Sequence, residues 1–131
     1  MFDYTAETEK SIEEAISSLE GSLKDEKFGV LWHFNVQEKL QEKGLEYNEA
    51  FHVLEVCNPN EAHRVLTQNK MAGYFLPCKI VVYEDKGKTK IGMPKPTSMI
   101  ELINDESVQS FAAEIEERLI QCIKKVYNLK E

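Results

Sequence analysis

The sequence predicts one α+β domain, a five-stranded sheet with two long helices on one of its faces. Three observations carry that prediction. Two segments, one near each end of the chain, repeat apolar residues with the 3.6-residue period of an amphipathic helix. One short run before the first of them, and four between the two, carry the apolar, aromatic and β-branched residues of strands, bounded by turn-forming residues. No linker, low-complexity tract or internal repeat divides the 131 residues, a length that builds a core without disulfide staples.

Residues 2–6, FDYTA, alternate apolar and polar and predict the first strand. Thr8 is placed to cap the helix that follows, whose stripe is Ile12, Ala15, Ile16, Leu19 and Leu23. FGVLWHF, residues 28–34, predicts a second strand with Phe28, Val30, Trp32 and Phe34 on one face. Asn35 can cap a short helix, with Glu38 as its reciprocal partner and Gly44 just past the end. AFHVLEVC, residues 50–57, predicts the third strand.

Asn58, Pro59 and Glu61 then specify a helix start: a side-chain acceptor, a residue that lacks an amide to satisfy, and an acid at the third position. Ala62, Val65 and Leu66 face inward from this short helix. PCKIVVYE, residues 77–84, is the fourth strand, its proline first where no ladder donor is lost. Asp85-Lys86-Gly87 is turn chemistry, and KTKIGM returns as the fifth strand until Pro94 and Pro96 stop it. Asp105 can cap the last and longest helix, whose stripe runs from Val108 through Ala112, Ile115, Leu119 and Cys122 to Val126.

Two helices cover only one face of such a sheet. The middle strands nevertheless carry apolar residues on both faces: Val53 against Leu54, and Ile80 and Val82 against Val81. A sheet wet on one side alternates more cleanly. The second face is therefore expected to be covered by a second copy of the chain in a self-complementary homodimer.

Composition narrows the function. The formal charge is −7, from 16 basic and 23 acidic residues, and the basic ones are scattered beside glutamates. Nucleic-acid binding needs clustered Lys and Arg to displace counterions, so nucleic acid is excluded as a partner, and an acidic membrane surface would repel the domain. The opening MFDYTAETEK has no basic-then-apolar pattern of a signal peptide, and no apolar run approaches the roughly 20 residues of a membrane-spanning helix. Three cysteines, an odd count, suit a reducing cytoplasm, which is the expected location.

Three stretches of this chain, FHVLEVCNPNEAHRVL, LPCKIVVYED and MPKPTSMIELIND, resemble the bacterial and archaeal domain-of-unknown-function family 302. The resemblance covers nearly the whole chain from about Phe2. Its most specific parts are Cys57-Asn58-Pro59 and Leu76-Pro77-Cys78, with Pro96 and Met99 in support. Lys95 stands where the family usually has Asp or another polar residue, so no acid is carried over to that position. The resemblance implies a TATA-binding-protein-like fold, β-α-β(4)-α, in which the last four strands form an antiparallel meander. It also implies a homodimer, and no established reaction.

Five residues are candidates for a thiol or ligand site: Cys57, Cys78, Glu55, His33 and His52. If the third and fourth strands are antiparallel neighbours, Cys57 ends one as Cys78 begins the other, within disulfide reach. A parallel crossover would instead set them about 20 Å apart. Cys57 also precedes a helix N-terminus, whose dipole favours a thiolate. Both thiols can equally be small buried hydrophobes at strand ends, the reading preferred over chemistry, and Cys122 lies on a helix stripe and belongs to the core.

Glu55 falls on an apolar strand face and needs a partner, Lys79 or Arg64, or a wet pocket. His33, His52 and His63 make no paired-ligand motif, so no structural zinc site is expected. Gly87-Lys88-Thr89 lacks the upstream glycine of a phosphate loop, and no serine has a triad around it. The expected function is a small binding or accessory module without catalysis or cofactor, whose partners are itself and a small ligand or metal ion. The alternative is a thiol-based redox or soft-metal-handling protein using Cys57 and Cys78.

Overall fold

The computed structural model describes residues 2–128, so Met1 and residues 129–131 of the predicted domain lie outside the described residues. In chain order the elements are β1 (Asp3–Thr8), α1 (Ile12–Asp25), β2 (Gly29–Asn35), α2 (Val36–Glu42), β3 (Phe51–Cys57) and α3 (Pro59–Gln68). A 3-10 turn (Lys70–Phe75) precedes β4 (Cys78–Asp85), β5 (Lys88–Pro94), α4 (Pro96–Ile100) and α5 (Glu106–Asn128). The five strands form one sheet in the order β1-β5-β4-β3-β2, and every neighbouring pair is antiparallel. The α+β class, the five strands and the meander of β2 to β5 agree with the sequence.

Local chemistry accounts for most boundaries. The Asn58 carboxamide oxygen accepts from the amides of Asn60 and Glu61 at 3.0 and 3.3 Å and starts α3 with Pro59 at its first position. Asn35 accepts from Glu38 N at 3.0 Å, and Gly44 beyond α2 adopts φ +80°. The β4–β5 hairpin turns on Lys86 and Gly87, both at positive φ as a primed turn requires.

One expected cap is corrected. Thr8 is still in β1, paired with Thr89, and α1 is capped by Ser11. Ser11 Oγ accepts from Glu14 N at 3.1 Å while Glu14 Oε1 accepts from Ser11 N at 3.0 Å, a complete capping box.

Helices α1 and α5 pack against each other, α1 over β2, β4 and β5 and α5 over β1. The core between helices and sheet is built on Leu19, Leu23, Leu54, Ile80, Ile91 and Leu119, all at most 1% exposed. At the end of that layer Arg118 bridges Glu26 and Glu61, and Arg64 bridges Glu61 and Glu114 while lying 4.1 Å over the Phe111 ring.

The opposite sheet face presents Phe34, Phe51, Val53, Val81 and Tyr83, half-buried among themselves, with Trp32 54% exposed. Trp32 stacks on Phe34, and Phe51 on Tyr83, each with ring centroids 5.1 Å apart. The single face expected for Phe28, Val30, Trp32 and Phe34 is divided. The β2–β3 register slips between Val30 and Trp32, so Val30 opposes buried Val56 and Trp32 opposes Glu55. The extra residue, Leu31, reverses which side the rest of β2 shows.

Candidate functional site

A cavity of about 330 Å³ lies on the helix side of the sheet, where the start of β4 meets the end of β5. Cys78 and Met93 line it from the strands, Phe75 from the 3-10 turn, Met99 from α4 and Ala112 and Ile115 from α5. Its walls are fixed by polar clamps. The Asn69 carboxamide caps the 3-10 turn at Met71 N (2.9 Å) and donates to Asp105 Oδ2 (3.3 Å). Asp105 in turn caps α5 through the amides of Ser107 and Val108, bonds that hold its carboxyl below the ordinary range. Thr97, at the start of α4, donates through its amide and hydroxyl to Glu116 Oε1 on α5 at 3.0 and 2.6 Å. The small side chains of Ala72 and Ala112 leave the space these clamps hold open.

The charged part of the lining is one ion pair, Glu55 Oε2 to Lys79 Nζ at 2.7 Å. Lys79 opposes Glu55 directly across the β3–β4 ladder, so of the two expected partners Lys79 is the one used and Arg64 is engaged elsewhere. Cys78 packs against the core, and burial, with smaller effects from the Cys57 sulfur and the Glu55 carboxylate, pushes its thiol up to about 11. At neutral pH it is a protonated, polarizable wall group, since the thiolate is the nucleophilic form.

The expected side-by-side dithiol is corrected by the register. Cys78 opposes Val56, and Cys57 opposes Gly29 on β2. Directly opposed residues share a face and successive ones alternate, so Cys57 shares the face of Glu55 while Cys78 shares that of buried Val56 and Ile80. All three cysteines are free. Burial also raises the Cys57 thiol, against the lowering expected from the α3 N-terminus. Cys122 is fully buried on α5, as its stripe predicts.

The histidines stand apart from the thiols. His33 Nε2 and His52 Nδ1 are 2.8 Å apart on β2 and β3. His52 lies five residues before Cys57 on β3, about 17 Å away at strand rise. Within one chain His52 and Cys57 therefore lie at opposite ends of β3. His63 is exposed on α3. Among the described residues no group of three or more His, Cys, Asp or Glu is arranged to hold a metal ion.

The sequence reading reached Cys78 and Glu55 but missed Phe75, Met93 and the alanines around them. The available signal was the apolar, sulfur-bearing content of two connections, KMAGYF at 70–75 and MPKPTSMI at 93–100, where surface loops are ordinarily polar.

An antiparallel sheet with helices on one face and a small apolar cavity at one end defines a compact α+β domain. The family model described as domain of unknown function DUF302 matches residues 4–126, and the chain belongs to that family. A crystal structure of an uncharacterized conserved DUF302 protein from Bacillus stearothermophilus is similar to this chain at 54% identity and a TM-score of 0.94, over 96% of this chain and 98% of that one. No curated protein matches. No helix among the described residues is long and apolar enough to cross a membrane.

Proposed function

We propose that this protein is a non-catalytic binding module that takes a small, largely apolar ligand in the cavity beside Cys78. The cavity itself carries the reading. Its volume, about 330 Å³, lies at the lower end of the range of small-molecule sites, and apolar walls with one fixed ion pair are the usual composition of such sites. The Glu55–Lys79 pair stands at the rim with its lysine half-exposed, so a polar end of the ligand would meet it there. Catalysis has little support here, because the cavity's thiol is held neutral and no histidine lines it.

The same reading includes a homodimer in a bacterial cytoplasm. Its support is the apolar sheet face around Val53 and Val81, the three free cysteines and the Bacillus relative. The strand order with both long helices on one face suits a TATA-binding-protein-like classification.

Methyl NMR with 1-naphthol as the probe tests the cavity. The expected result is movement of the Ala72, Ala112, Met93 and Met99 methyl signals, and loss of binding in Ala112→Leu, which fills the space while keeping the fold. Shifts confined to Val53 and Val81 would place the probe on the open sheet face and sink the proposal.

A further inference from the structure

We infer that His33 and His52 form a two-imidazole site for a divalent first-row transition ion of the zinc type, at the sheet edge opposite the cavity. The two residues sit diagonally across the β2–β3 ladder, His33 opposing Leu54 and His52 opposing Asn35. Their rings converge, with His33 Nε2 and His52 Nδ1 at 2.8 Å and ring planes tilted by 54°. In the metal-free state one nitrogen donates a proton to the other. Zinc binds imidazole nitrogen at about 2.0–2.1 Å, so two nitrogens on one tetrahedral ion lie roughly 3.3 Å apart. Opening the pair by about half an ångström, with the donor imidazole's proton carried on its other ring nitrogen, therefore presents both facing lone pairs to one metal ion. Both backbones are already fixed by the ladder, so little conformational freedom is lost on binding.

The surroundings favour a cation. Burial and the neighbouring His33 hold the His52 imidazole below its ordinary range, toward the neutral form a metal ion needs, while Glu13 on α1 and Glu38 on α2 act more weakly in the direction of positive charge. Glu38 lines the same surface depression, with Asn35 bonded to its amide at the start of α2, and its carboxylate has no ion-pair partner among the described residues. Glu42 and Lys39, also in that depression, pair with each other at 3.1 Å. The depression is open, so water completes the coordination beyond the two imidazoles. Imidazole with water and carboxylate nearby selects ions of the zinc, nickel and copper group over magnesium.

Zinc chloride titrated into the full chain, followed by calorimetry and by the ¹⁵N signals of the histidine rings, tests the site. One equivalent per chain is expected to bind with micromolar affinity at pH 7.5, moving His33 Nε2 and His52 Nδ1 and leaving the His63 ring in place. His33→Gln and His52→Gln should each weaken binding by at least about tenfold, while His63→Gln has no effect. Magnesium should move none of these signals. Affinity should fall as pH drops through the imidazole range, because the ligating nitrogens must lose their protons. The groups that set this dependence around His52 are His33, Glu13 and Glu38, with Glu42 and Lys39 nearby. The wild-type ring signals decide the matter even where a variant is unstable. Unmoved rings, wild-type affinity in either variant, or binding reported only at Cys57 would each overturn the inference and leave the pair as a hydrogen bond between strands.

Discussion

The hydroxyl of Ser22 donates to the carbonyl of Cys122 at 3.0 Å, and the Cys122 thiol donates back to the carbonyl of Ser22 at 3.5 Å. This exchange joins α1 to α5, and both residues are buried. The same hydroxyl proton is shared with Leu19 O in its own helix at 3.1 Å, a three-centre bond in an otherwise apolar layer.

Ser22→Ala removes the interhelical donor and keeps the volume almost unchanged. The expected loss is about 0.5–1.5 kcal/mol, the net worth of one hydrogen bond. Ser22→Val should cost more, roughly 1–3 kcal/mol, because the added methyls meet the α5 backbone. Urea denaturation measures both, and a Val variant as stable as the Ala variant would mean the seam is loosely packed.

Asn58→Ala should destabilise the fold by about 0.5–2 kcal/mol, toward the upper end of the range for helix caps. The side chain is only 5% exposed, it accepts two amides of α3, and its Nδ2 donates to Glu26 O at 3.5 Å. Asn58→Asp keeps the acceptor, loses that donor and buries a charge, so it should recover only part of the loss. An unchanged denaturant midpoint in Asn58→Ala would remove the cap from the account of α3.

What could be read in the sequence was what neighbouring residues decide among themselves. Asn35, Asn58, Asp105 and the Asp85-Lys86-Gly87 turn each act within four residues of chain, and each was recovered in place. Thr8 failed because a strand pairing distant in sequence, Thr8 with Thr89, kept it out of the helix start. The bulge at Leu31 leaves no mark on a period-2 pattern that is apolar on both faces, and one extra residue moved Trp32 to the far side. The cysteine pair failed by the same single step of register. Of the cavity only Cys78 and Glu55 were reached, since its walls come from β3, β4, β5, α3, the 3-10 turn, α4 and α5, and its volume depends on how these meet.

Val53 sits near the middle of the uncovered sheet face, opposite Phe34 on one side and Val81 on the other. If a second copy covers that face, Val53→Lys places an unpaired charge in the contact, at a cost that separates most weak dimers. Sedimentation at micromolar concentration should give twice the chain mass for the wild type and one chain mass for the variant. A wild type that sediments as a single chain would end the homodimer proposal.

The buried thiols give the last prediction its sign. Cys78 and Cys122 are each pushed up to about 11, in both cases chiefly by burial, whereas a thiol in the unfolded chain titrates near ~8.5. Between roughly pH 8.5 and 11 the unfolded chain has released protons that the folded chain still holds. The unfolded state then binds fewer protons, so linkage makes stability fall as pH rises through that window, and the contribution is fully present below it. Tyr4, raised to about 12 by burial and by its 3.2 Å contact with Tyr127, steepens the fall at the alkaline end. Cys78→Ala removes one of these groups and should flatten the decline of the urea midpoint without abolishing it. Alkylation offers a second readout at pH 8, where Cys57 should react before Cys78 because only Cys78 packs against the core. Equal slopes in wild type and Cys78→Ala, with Cys78 alkylating as fast as a free thiol, would mean that water fills the cavity and that its thiol titrates normally.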